Sequence, residues 1–242
     1  MVGSWRPATR CAGDFWIVTP LGEPRSDAPG DGSRPVLVLI GDVTGHGVAS
    51  AMVTAAVIAA CDVCVRRSGA GLELGPLIAA LDAAVRLASG GELSMTCFAA
   101  ILDPGAREIR FVSCGHTAPY LCRATEKAIE LHALVGRGNP LGAGPPGARI
   151  LRRPLQAGDL VVWYTDGVVE AQDPAGAEFG DRRLQHLLKK LDRQRLAPAV
   201  VHDLVLRGVA AHRAGRPLAD DETLVVAQLA PLPPQPGREA AP

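Results

Sequence analysis

Short apolar runs punctuate the chain, most of them stopping on an aspartate or at a turn rich in Gly, Pro or Asp, and this pattern restricts it to a layered, sheet-containing fold. The runs lie at Asp14–Thr19, Val36–Ile40, Met95–Leu102, Glu108–Ser113, Pro119–Arg123, Ala128–His132, Leu160–Tyr164 and Thr223–Leu229. Their length and content of β-branched residues predict strands. Connections such as "DPGARE" (Asp103–Glu108) are too short for a crossover helix, so the strands pair antiparallel. Helical spacing of apolar residues runs from Val48 to about Arg66, Leu74–Ala88, Arg182–Leu191 and Ala199–His212, which predicts helices packed outside the sheets. With 242 residues, 48% of them hydrophobic, residues 1–229 suffice for one domain with a full core. The segment Gly22–Pro35 reads as a hairpin loop without core residues. The Pro-rich end, "APLPPQPGREAAP" (230–242), reads as a disordered tail. The first motif lies so near Met1 that an upstream portion of a longer protein is expected.

Charge and cysteine usage narrow the function classes. Lys+Arg and Asp+Glu number 25 each, so no net field favours nucleic acid or an anionic membrane. The 6 cysteines (Cys11, Cys61, Cys64, Cys97, Cys114, Cys122) sit mostly in apolar runs, which suits reduced, buried thiols and a cytoplasmic setting. The uncharged run Val48–Cys61 is too short for a bilayer and suits a buried helix.

The aspartates at the strand ends form a set: Asp14 in "CAGDFW", Asp42 closing "VLVLIGD", Asp166 closing "LVVWYTDG", and Asp220 with Asp221 before the last strand. Asp103 and Asp159 occupy similar places, but Asp-Pro-Gly and Gly-Asp are ordinary turn formers. Carboxylates about 4 Å apart repel by roughly 4 kcal/mol at an effective dielectric near 20. A convergent set therefore needs cations or altered protonation, and hard divalent ions with oxygen ligands answer that need.

The segments "AGDFW", "IGDVTGHGVASAM", "MTCFAAILDP", "SCGHTAPYL", "NPLG", "LQAGDLVVWYTDGVVEA", "FGDRRL" and "DDETLVV" resemble, in order, the motifs of the SpoIIE/RsbU-like bacterial branch of the metal-dependent type 2C protein phosphatases. The resemblance implies an α+β fold of two packed antiparallel sheets flanked by helices, an α-β-β-α sandwich. It implies an enzyme that hydrolyses phosphoserine or phosphothreonine in a regulatory phosphoprotein, in this branch a phosphorylated STAS-domain antagonist of an anti-sigma factor. Two ions, Mn2+ or Mg2+, would activate a water for in-line attack. Carried over residue by residue, Asp42 bridges the two metals, the Val43 carbonyl assists one, and Asp14, Asp166 and Asp220 complete the coordination of the second metal, directly or through water. Asp42 and Asp166 are then catalytic through the activated water. Asp221 is the alternative to Asp220, since paired carboxylates leave the register open by one.

Other residues carry competing readings. Arg10 sits four before Asp14, where eukaryotic relatives place a phosphate-binding arginine, and is otherwise a solvated charge. His46 in "GHG" is either a contact to substrate or a residue held in the turn; His116 in "CGHTAP" reads as loop packing and Glu170 as a local turn former. Cys61 and Cys64 form a C-x-x-C with no second pair to complete a zinc site, so core packing is expected. Cys61 to Arg67 has the C-x5-R spacing of cysteine-dependent phosphatases, but the stretch between lacks glycine and continues a helix, giving no phosphate cradle. The non-catalytic alternative is a regulatory domain that kept the fold; the catalytic one is a hydrolase of small phosphoesters. The alanine-rich helix from Val48 and the helix from Leu74 are expected to form a pair gripped by an upstream sensor domain or a second copy of the chain. Nucleic acid and membrane are not expected as partners.

Overall fold

Both sheets of the molecule are antiparallel throughout, and the strand sequences explain how they stack. A computed structural model describes residues 1–8, 12–22, 34–45, 47–192 and 196–229. One sheet contains β2 (Phe15–Pro20), β3 (Val36–Val43), β4 (Met95–Asp103), β5 (Glu108–Cys114) and β8 (Leu151–Pro154), in that order. The other contains β1 (Val2–Arg6), β6 (Tyr120–Ala124), β7 (Ile129–Ala133), β9 (Leu160–Tyr164) and β10 (Glu222–Gln228), in the order β1-β10-β9-β6-β7.

Successive residues of a strand project to opposite faces, and here both faces are covered. Along β3, Val38 and Ile40 enter the layer between the sheets, while Leu37 and Leu39 enter the outer layer under helices α1 (Val48–Ser68) and α2 (Leu74–Ser89). On β9 and β10, Val161, Trp163 and Val225 face the other sheet, whereas Leu160, Val162, Leu224 and Val226 pack under helices α4 (Gly180–Lys189) and α5 (Pro198–Arg213). Burial of each such Val or Leu stabilises by roughly 1.5–3 kcal/mol, so both helix pairs are held by strand faces. The central strands read as unbroken apolar runs because neither face meets water. The expected α-β-β-α sandwich is the observed fold.

Some elements differ from the sequence reading. Two strands carry no periodic signal: β1, a half-buried edge paired with β10, and β8, fully exposed and carrying Arg152 and Arg153. Edge strands need only one partner, and charge on them discourages pairing with other chains. A single turn of helix, α3 (Asp166–Val169), follows β9 directly. Helix α1 is long and apolar enough to cross a membrane by length and composition. It lies on the sheet instead through a narrow stripe, Ser50, Val53, Val57 and Cys61, and leaves Val48, Met52, Ile58 and Val63 exposed. Arg10, His46, Cys11 and the tail from residue 230 fall outside the described residues, as does most of the loop between β2 and β3.

Candidate active site

Strand register brings the acidic residues to one edge of the sandwich. Phe15 pairs with Gly41 between β2 and β3, and the Val43 amide donates to the Gly13 carbonyl at 3.4 Å. Asp14 and Asp42 are therefore cross-strand neighbours just beyond the last ladder pair. Asp42 has the parity of Ile40, which faces the space between the sheets. In the other sheet Leu224 pairs with Tyr164, and the Thr165 amide donates to the Thr223 carbonyl at 3.1 Å. Asp166 leaves β9 where Asp220 approaches β10.

Thr165 and Thr223 share the parity of Trp163 and Val225, so their hydroxyls point toward the opposite sheet. Both donate to Asp14 Oδ2, each at 2.7 Å. Asp14 is only 4% exposed. Burial pushes its carboxyl up to about 8, the threonine hydrogen bonds oppose that, and the charges of Asp42 and Asp221 add to it.

The adjacent acids Asp220 and Asp221 have different surroundings. Asp221 is 6% exposed and works on backbone: its Oδ1 accepts from the Ala8 amide at 2.7 Å, and its Oδ2 from the amides of Gly13 at 2.9 Å and Asp14 at 3.5 Å. It fastens the connection between β1 and β2. Asp220 is exposed and caps the Asp221 amide at 2.8 Å.

Two glycines permit the close approach of backbones that this edge requires. A Cβ on Gly167 would lie 2.1 Å from the Asp221 carbonyl oxygen, so only glycine lets the α3 turn, with Asp166, lie against the Asp220–Asp221 backbone. A Cβ on Gly13 would meet the Val43 carbonyl oxygen at 2.6 Å, the Gly45 carbonyl oxygen at 3.3 Å and Asp42 Oδ1 at 3.4 Å. Those oxygens converge on one point. Gly45 and Gly47, with φ of 85° and 99°, turn the chain from Asp42 into α1.

The electrostatics are those of an uncompensated anion cluster. Burial pushes the Asp42 carboxyl up to about 7, reinforced by the charges of Asp166, Asp220, Asp221 and Glu170. Asp166 is raised by burial and by Asp220, against the Gly167 amide that donates to its Oδ1 at 3.0 Å. Among the described residues no Lys, Arg or His forms an ion pair with Asp14, Asp42, Asp166 or Asp220. As the side chains lie, no three His, Cys, Asp or Glu side chains among the described residues close around a single ion position. Even so, the donor chemistry fits hard divalent ions: charged oxygens in excess, a backbone carbonyl beside them, and no cationic partner among the described residues.

The remaining candidates fall into structural roles. His116 Nδ1 shares a hydrogen bond with Thr96 Oγ1 at 2.8 Å, and burial pushes the imidazole down to about 4, so it is neutral. The Glu170 amide donates to the Asp166 carbonyl at 2.8 Å, while its carboxylate faces a neighbouring cavity. Asp103 caps the Ala106 amide in its turn, and Asp159 pairs with Arg123 at 2.7 Å. Cys61 lies within α1, and burial pushes its thiol up to about 12, which removes the thiolate that a cysteine mechanism requires. The described cysteines are free thiols, and all but Cys64 are buried. Sequence reasoning missed Thr165, Thr223, Gly167 and the backbone-binding role of Asp221. The threonines had one usable signal, their two-residue spacing from Trp163 and Val225.

Comparison with known proteins identifies the lineage. Residues 32–230 match the family model of Stage II sporulation protein E, and the chain belongs to this SpoIIE family. Its fold is that of PP2C phosphatase domains. The SiaA-PP2C domain of Pseudomonas aeruginosa superposes with a TM-score of 0.75 at 24% identity, covering 94% of this chain and 85% of that one. The PP2C phosphatase domain of SpoIIE from Bacillus subtilis, solved with a fragment of its regulatory domain, gives a TM-score of 0.74 at 20% identity, covering 93% and 61%. Protein IcfG of Synechocystis sp. is 24% identical over 242 residues, 87% of this chain but 37% of IcfG, so the chain spans little more than a third of that curated relative.

Proposed function

We propose that the chain is a metal-dependent protein-serine/threonine phosphatase acting on a regulatory phosphoprotein in the cytoplasm. The observation that carries this reading is the meeting of Asp14 and Asp42 from one sheet with Asp166 and Asp220 from the other, with no cationic partner among the described residues. Asp42, the Val43 carbonyl, Asp166 and Asp220 would hold two Mn2+ or Mg2+ ions, with Asp14 joining them directly or through water. Bound there, the ions supply Lewis acidity for activating water and for neutralising charge on the phosphoryl group. The chain's own residues prepare the site. Thr165 and Thr223 orient Asp14, Asp221 fixes the segment before it, and Gly167 lets Asp166 and Asp220 lie side by side. The commitment of Asp221 to the amides of Ala8 and Gly13 supports Asp220 as the ligand of the pair.

The substrate we assign is a phosphorylated STAS-domain antagonist of an anti-sigma factor. The exposed apolar face of α1 offers an upstream sensor domain or a second copy of the chain a surface to grip. Because α1 starts at the turn after Asp42, such a grip would be felt at the Asp42 carboxylate. The test is phosphate release from a phosphoserine peptide beside p-nitrophenyl phosphate, with Mn2+ and with EDTA. We expect manganese-dependent hydrolysis of the peptide. Activity that survives EDTA, or is confined to the small ester, overturns the reading.

A further inference from the structure

A cavity of about 450 Å3 opens beside Gly167 and Asp220, between the segment that follows α3 and the one that joins α5 to β10. Its charged lining is Glu170, Glu178, Asp220, Glu222, Arg213 and Arg216. Each guanidinium group has one partner in place. Arg213 forms an ion pair with Glu222 Oε1, and Arg216 Nη1 donates to the Asp173 carbonyl at 2.7 Å. The carboxylates are not matched in the same way. Glu222 is 2% exposed, and its second oxygen, Oε2, is buried with no hydrogen-bond partner. The carboxylates of Glu170 and Glu178 have no hydrogen-bond or ion-pair partner among the described residues, and the charges of Glu178 and Asp220 both bear on Glu170.

We propose that this cavity seats a basic side chain, arginine or lysine, of the phosphoprotein next to its phosphorylated residue; the inference rests on the phosphatase reading above. The lining sets four carboxylates against two guanidinium groups, a surplus of negative charge that complements a guanidinium or ammonium group. An anionic side chain would meet Glu170 and Glu178 at close range. An apolar one would strip water from these carboxylates without replacing its hydrogen bonds. The space also exceeds what a single ion needs and suits a long side chain entering from the metal edge. The pocket would thus make the enzyme selective for phosphoserine with basic neighbours.

The test uses the full chain with Mn2+ and two fluorescein-labelled phosphoserine peptides, one with arginines flanking the phosphoserine and one with alanines there. Two partly exposed charge pairs are each worth about threefold, so binding by anisotropy and kcat/KM should both favour the arginine peptide by roughly tenfold. Glu178→Gln should shrink that ratio to about threefold, and Glu178→Arg should invert it. Equal binding and turnover of both peptides by the wild-type chain would overturn the proposal. So would a Glu178→Gln variant that keeps the full ratio, or one that needs more Mn2+ for p-nitrophenyl phosphate hydrolysis, since the cavity would then serve an ion. A chain that binds the arginine peptide preferentially yet hydrolyses neither peptide nor the small ester would leave the cavity assignment standing and sink the catalytic reading.

Discussion

Replacing Asp42 by Asn separates the electrostatic cost of the carboxylate cluster from its use. In the folded, metal-free chain the Asp42 carboxyl is raised from 3.8 to about 7 by burial and by neighbouring acids. At ~1.4 kcal/mol per pKa unit this shift corresponds to ~4 kcal/mol at most, and solvent reaching the half-buried group screens it to about 2 kcal/mol. The sign follows from the direction of the shift. Folding favours the protonated acid, so that contribution is whole below the ordinary carboxylate pKa and is lost as pH rises through about 7. Asparagine does not titrate. Thermal melts in EDTA should therefore run close together under acid conditions and separate as pH rises, with Asp42→Asn melting about 4–8 °C higher near pH 8. Adding Mn2+ should reverse the order, because only the wild-type chain gains the full stabilisation of bound ions. Phosphatase turnover should be abolished in the variant. Melting curves in EDTA with a pH-independent offset would refute the repulsion argument. Turnover near the wild-type rate under saturating Mn2+ would refute the bridging assignment.

Gly167→Ala should lower stability by about 2 kcal/mol or more and reduce activity further than its melting temperature explains, since the Asp221 carbonyl lies 2.1 Å from the new Cβ and must move Asp220 with it. Thr165→Val with Thr223→Val should destabilise by about 1–3 kcal/mol per lost hydroxyl and move metal-dependent activation to higher pH, because the bonds that lower the Asp14 pKa are gone; Thr165→Ser should restore the profile, and failure to do so would assign the threonine a packing role. EDTA should abolish activity while iodoacetamide spares it, as burial pushes the thiols of Cys61 and Cys122 up to about 12 and that of Cys114 to about 11; the reverse pattern of inhibition would revive a cysteine mechanism.

The central strands were legible because their covered faces leave apolar runs that turns must interrupt, and the helices because their stripes repeat at helical spacing. Asp42 and Asp166 stood out as charges closing such runs. β1 and β8 were not legible: an edge strand is specified by its partner, and "VGSWR" and "LRRP" hold no pattern of their own. Asp220 and Asp221 look equivalent in sequence and part only in three dimensions, where one faces outward and the other meets three backbone amides. Thr165 and Thr223 look like ordinary strand residues until the two sheets are stacked. Gly167 likewise acquires its reason from a backbone 54 positions away.

The acids of this edge are divided evenly along the polypeptide as well as between the layers: Asp14 and Asp42 precede β4, while Asp166 and Asp220 follow β8. A chain severed in the connection from β7 to β8 would leave half of the donor set on each fragment, and neither fragment could assemble the cluster alone. A divalent ion held by these acids, as proposed above, would act as a clasp between halves, and uptake of manganese would gauge how completely the sandwich has closed. Such a pair of fragments would form a complementation system that recombines in response to the ion, with the threonine hydroxyls of one piece finding Asp14 on the other.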